Sequence, residues 1–211
     1  KIVLARDVVS GVIPASLFEM PVLHKLELQS LNLDGTLPST MGRATELQTL
    51  LISARPSSNQ RISGPIPTTV GRLVNLKYLR FERMSLDASL PREMEDLANM
   101  RIFSLRGALS QSQSALLPFP DLPCSFPLLE YLEISYAKYS STLPTCVGSL
   151  PKLTFLQVTS NHLSGTLPVE VGHLESLSSL ALGANSFEGT IPISWGGLTR
   201  LRRLELFSNE L

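Results

Sequence analysis

A pattern of 24 residues recurs along the 211-residue chain, and a period of that size commits a sequence to stacked coils. The clearest copies are LTFLQVTSNHLSGTLPVEVGHLES at 153–176 and LSSLALGANSFEGTIPISWGGLTR at 177–200. Each unit of such an array buries its apolar face only against its neighbours, so the product is an extended surface. Binding is therefore the first functional expectation, ahead of catalysis.

A Leu-Pro or Ile-Pro pair anchors each copy: Ile13-Pro14, Leu37-Pro38, Ile66-Pro67, Leu90-Pro91, Leu143-Pro144, Leu167-Pro168 and Ile191-Pro192. Nine residues after each proline stands a large apolar residue: Leu23, Leu47, Leu76, Met100, Leu153, Leu177 and Leu201. Three residues before it stands a small one: Gly11, Gly35, Gly64, Ala88, Ser141, Gly165 or Gly189. Counting back from Leu129 places a degenerate anchor at Phe119-Pro120. The L-x-L segment alternates apolar and variable residues, the pattern of a half-buried strand. It predicts that Leu26 and Leu28, Leu79 and Phe81, Leu132 and Ile134, Leu156 and Val158, and Leu180 and Leu182 point inward. Glycine before the anchor suits a turn with an unusual dihedral, and proline disfavours an α-helix there. A short helical turn then closes the coil.

The consensus L-x-x-L-x-L-x-x-N-x-L-x-G-x-(L/I)-P-x-x-x-G-x-L-x-x resembles the leucine-rich repeat, in its plant-type subclass. The resemblance covers essentially the whole chain. It implies an α/β solenoid: an arc with a parallel β-sheet on the concave face and short helical turns or loops on the convex face. Residues 1–211 are then expected to form one domain of about eight repeats, with a partial ninth beginning at Leu201. Because the chain starts and stops inside repeats and shows none of the cysteine-bearing caps of the subclass, it is expected to be part of a longer protein.

Two features depart from the consensus. The corner asparagine is present at Asn161, Asn185 and Asn209, but its place is held by Asp7, Leu31, Arg55, Met84, Ala108 and Ala137 elsewhere. Bonds lost there are expected to be made up by water or by insertions. The repeats from Leu47 and from Met100 run to 29 residues, with extra polar residues at 55–60 and 110–114 inside longer connections. These extensions, and the segment 109–117 as a whole, are either drift in tolerated loops or a shared contact on one edge of the arc.

Variable positions beside the inward residues face the concave surface, and equal positions on successive coils touch. Tyr78, Ile102, Tyr131 and Phe155 form a row of large side chains on consecutive coils, flanked by Arg80, Glu82, Arg106, Glu133 and Gln157. Aromatics with arginine are the composition of interface hot spots, which makes these nine residues the candidate ligand-binding site. The plainer alternative is a row that only covers the sheet, with its charges paired to one another. A small, flat patch at Ala181, Gly183 and Ala184 either admits close approach or carries no meaning.

Little else suggests chemistry. Cys124 and Cys146 fall at nearby registers in adjacent coils, which leaves open a disulfide or a pair of buried thiols. No histidine is spaced to make a metal site with them, and His24, His162 and His173 lie on different faces. Ser149-Leu150-Pro151-Lys152 matches S-x-x-K, but on an ordinary closing turn. No phosphate loop or catalytic triad is visible, so no enzyme activity and no cofactor are expected. Eighteen basic and 18 acidic residues cancel, which removes the electrostatic case for nucleic acid, and no apolar run is long enough to enter a membrane. The resemblance points to receptor-kinase ectodomains, polygalacturonase-inhibitor-like proteins and protozoan surface antigens. It implies a non-catalytic module that binds a protein or peptide, in the ectodomain of a receptor-like or membrane-anchored surface protein. The alternative is a structural subunit or scaffold that meets partners through loops and edges. The location expected is extracellular or at the cell surface, although the sequence has no N-x-S/T glycan acceptor. An intracellular scaffold is the alternative.

Overall fold

A computed structural model describes residues 1–5, 10–54, 61–87, 89–109 and 116–211. The expectations for Asp7, Arg55, Ala88 and the insertions at 55–60 and 110–114 fall outside these residues.

Nine strands form the concave sheet, one per coil. They are Ile2–Ala5, Lys25–Asp34, Thr49–Ala54, Tyr78–Glu82, Ile102–Arg106, Tyr131–Ser135, Phe155–Gln157, Ser179–Ala181 and Arg203–Glu205, here coils 1 to 9. Neighbours in this order pair in parallel, and Ser10–Val12 adds to the end of the coil 2 strand. Every residue predicted to point inward is buried, in one continuous apolar cluster that runs through the stack. Behind this sheet the residues after each corner form short parallel strands. Leu117–Pro118, Tyr139–Ser141, His162–Thr166 and Ser186–Glu188 make one set, and Ser63–Gly64 with Ser85–Leu86 another. The sequence did not show this second layer, because its strands are only two to five residues long.

The helical elements among the described residues are all 3-10, of four or five residues, starting directly after the anchor proline in most coils. Proline takes extended angles and accepts the first turn's bond, as where Met41 N–H donates to the Pro38 carbonyl at 3.0 Å. Glycine recurs inside this turn for a packing reason. A methyl on Gly42, Gly71, Gly148 or Gly172 would lie well inside contact distance of a carbonyl oxygen in the next coil, from Thr69, Glu93, Glu170 and Ser194 respectively. In coil 4 this position holds Glu95, and coil 5 has a shorter turn, Leu122–Ser125. The degenerate anchor still works: Phe119 is buried and meets the Tyr139 ring at 5.7 Å.

The glycine before the anchor behaves as its pattern requires, with φ +74 at Gly165. Ser141 holds the same position at φ +75, a conformation that costs an L-residue about 1–2 kcal/mol. Ser141→Gly is accordingly expected to stabilise the protein by about 1 kcal/mol. A rise in the urea midpoint without a change in slope would show it, and a lower midpoint would refute it.

Each corner asparagine serves two coils. Asn161 Oδ1 accepts from the Ala137 and Tyr139 N–H groups of coil 6, at 3.2 and 3.3 Å. Its Nδ2 donates to the Ile134 carbonyl at 2.9 Å and to Val158 at 3.1 Å. Asn185 and Asn209 repeat this scheme on Leu163 and Phe187. At the Met84 corner, the side chain of the preceding residue does part of this work. Arg83 Nε donates to the Ala54 carbonyl of coil 3 at 3.0 Å, where water or an insertion was expected.

Candidate binding surface on the concave face

In-register pairing places Tyr78 beside Ile102, Ile102 beside Tyr131, and Tyr131 beside Phe155. The last two rings stack, with centroids 4.2 Å apart and planes within 2°. Together they make a flat, half-buried aromatic shelf across coils 6 and 7. Tyr131 OH donates to Glu133 Oε2 at 2.9 Å, and Ser104 Oγ donates to the same oxygen at 3.0 Å. Arg106 Nε stands 3.8 Å from the other carboxylate oxygen. These contacts compensate a carboxylate that is only 4% exposed. From coil 4, Arg80 leans past the small Ser104 to set its guanidinium carbon 5.7 Å from the Tyr131 ring centroid. Glu82 lies 3.9 Å from Arg80 and 3.3 Å from Arg83.

Eight of the nine candidate residues thus form a connected patch. Gln157 lies beside Glu133 in the strand register, but its amide donates to Thr159 Oγ1 at 3.2 Å, and Thr159 bonds onward to Ser135. The charges do pair with one another, as the plainer alternative held, yet the shelf and Tyr78 remain open to solvent, Tyr78 at 40%. The patch also extends further than the sequence suggested. A concavity of about 320 Å³ opens beside Tyr78, lined also by Lys25, Glu27, Thr49, Leu51, Arg80 and Ile102. A signal for it was in the chain. Thr49 is small in a row of large residues, and Leu51 is apolar in a row that otherwise reads Glu27, Arg80, Ser104 and Glu133. The flat patch at Gly183 is not open: the Phe207 ring lies against it, so that a methyl there would meet the ring at 2.6 Å.

Burial, then the adjacent Glu133 charge and the bond to it, hold the Tyr131 phenol above the usual tyrosine range; burial alone raises Tyr139. A raised phenol binds its proton more tightly folded than unfolded. Its contribution to stability is therefore complete below about pH 10 and is lost as pH rises beyond that. An alkaline titration followed at the phenolate band is expected to show Tyr131 and Tyr139 ionising above the usual tyrosine range. Tyr131→Phe should remove one of the two and make the alkaline loss of stability shallower. Ionisation of the Tyr131 and Tyr139 phenols within the usual tyrosine range in the native protein would count against this arrangement.

On the convex side Cys124 and Cys146 form a disulfide with Cα atoms 5.8 Å apart. Their positions follow the stacking rule of the glycines. Gly71 lies four residues after its anchor proline and abuts Glu93, two after the next anchor. Cys124 and Cys146 stand at these same two positions in coils 5 and 6. Among the described residues no group of His, Cys, Asp and Glu could hold a metal ion, and no helix is long and apolar enough to cross a membrane.

A Leucine Rich Repeat family model matches residues 152–174. No curated protein matches the chain. Among solved structures, the Arabidopsis receptor kinase HAESA, in complex with the peptide hormone IDA and the co-receptor SERK1, is 27% identical with a TM-score of 0.87. That match covers 99% of this chain and 33% of HAESA's. The plant peptide hormone receptor RGFR1, in complex with RGF2, is 28% identical with a TM-score of 0.84, covering 97% and 31%. A leucine-rich repeat protein of Leptospira interrogans is 27% identical with a TM-score of 0.74, covering 94% and 46%. The present chain spans about a third of the length of the two plant receptor chains.

Proposed function

Since the chain is a leucine-rich repeat protein of the plant-type subclass, we propose that it is a non-catalytic module that binds a peptide or protein segment on its concave face. We further propose that it serves in the extracellular part of a receptor-like or surface protein. The observation that carries the reading is the stacked Tyr131–Phe155 shelf, open to solvent and edged by Arg80 and Arg106. Rigid aromatics with arginine supply contact area at low entropic cost, and a stiff parallel sheet holds them in place. The peptide-bound plant receptors are consistent with this role, and a disulfide suits an oxidising compartment.

A random dodecapeptide display library, selected on the wild-type protein and on the Tyr131→Ala/Phe155→Ala double variant, tests the reading. Both side chains are half-buried, so each variant is first checked for an unchanged sheet by circular dichroism. Binders retained by the wild type and lost at least tenfold by the variant are expected. A pool held equally by both proteins, or no pool at all, would rule out the concave face as the binding surface.

A further inference from the structure

The formal charge of the chain is zero, yet the concave face does not present a neutral surface. In each of its ion pairs the cation stands outward and the carboxylate is sunk. Side-chain exposure is 36% for Lys25 against 15% for Glu27, 34% for Arg80 against 18% for Glu82, and 53% for Arg106 against 5% for Glu133. Two causes act together. Long basic side chains run their stems over the sheet and lift their heads to water, while Glu133 is drawn down by the Tyr131 and Ser104 hydroxyls. The two arginine pairs are also loose, at 3.9 and 3.8 Å, beyond hydrogen-bond length. An arriving segment therefore meets an ammonium and two guanidinium groups before it meets any carboxylate.

The apolar features fall on the same line. The Thr49 notch, about 320 Å³, lies at the small end of ligand pockets and has room for one large side chain. From Thr49 the register runs through Tyr78 and Ile102 to Tyr131, three strand spacings away. At about 4.8 Å each this is on the order of 14 Å, which an extended chain covers in about four residues. An even separation puts both side chains on one face of the segment. Arg80 and Arg106 lie between the two ends.

We infer that the concave face takes an acidic peptide segment in extended conformation, with one apolar side chain in the Thr49 notch and a second, four residues away, on the Tyr131–Phe155 shelf. Carboxylates between the two anchors face Arg80 and Arg106. This rests on the binding reading above and names the chemistry of what is bound.

The library selection separates the two claims. In the pool that depends on the shelf, Asp and Glu are expected to outnumber Lys and Arg severalfold, with large apolar residues enriched at i and i+4. Repeating the selection on Arg80→Gln/Arg106→Gln, which removes both charges but keeps the side chains polar, should abolish the acidic excess and leave the apolar spacing. Selected acidic peptides should bind the wild type at least tenfold more weakly at high salt. A shelf-dependent pool of neutral or basic composition, or an acidic excess that survives the arginine substitutions, would overturn this inference and leave the binding function standing. Absence of any shelf-dependent pool would overturn both.

Discussion

Gly71→Ala is expected to destabilise the protein by about 3 kcal/mol, a fall in melting temperature on the order of 10 °C. The added methyl points at the Glu93 backbone of the next coil, so no side chain can swing aside to admit it. Either the turn lifts away or the two coils separate, and each displacement loosens the apolar layer that Val70 and Met94 fill behind it. The same substitution at Gly196 meets nothing within 4 Å and should change stability by no more than about 0.5 kcal/mol. Comparing the two in urea unfolding tests the packing account directly. If both substitutions proved equally harmful, backbone freedom and not the approach of the next coil would be the reason for glycine.

The second large effect concerns the cross-link. Cys124→Ser/Cys146→Ser is expected to cost about 3 kcal/mol, the loop-closure term for the 22-residue separation of the two cysteines. The substitution also removes what fastens coil 5 to coil 6 on the convex side, where a close glycine contact does so in coils 2, 3, 6 and 7. Reduction of the wild type should reproduce the loss, and the double variant should then be indifferent to reductant. A reductant effect of equal size in the variant would assign the loss to some other cause.

Much of this architecture was legible because a solenoid repeats its instructions. The inward residues follow from period 2, and the corner role of Asn161 from its recurrence at Asn185 and Asn209. Other features depended on distances between coils, which one repeat read alone does not contain. The glycine of the closing turn was visible, but its cause is the Glu93 or Thr69 carbonyl one coil away. With that rule known, Cys124 and Cys146 could have been paired from register. The row of Tyr78, Ile102, Tyr131 and Phe155 was readable as a column of equal positions. The reach of Arg80 to Tyr131 was not, since it depends on a side-chain path over Ser104. Gln157 looked equivalent to its neighbours in the pattern and turned instead to Thr159.

Coil 5 has a mechanical consequence. A linear array in which each unit grips only its neighbours is as strong as its weakest joint. On one side of coil 5 the glycine is replaced by Glu95, and on the other by the cysteine of the cross-link. Coil 5 thus lacks the glycine contact on both sides, the disulfide taking its place towards coil 6, and the Thr49-to-Phe155 line crosses this coil on its inner side. Anything rigid laid along that line acts as a splint. Its effect on the resistance of the whole array to unfolding should be greatest when the outer fastening is cut, which makes occupancy of the concave face and integrity of the fold two readings of one quantity.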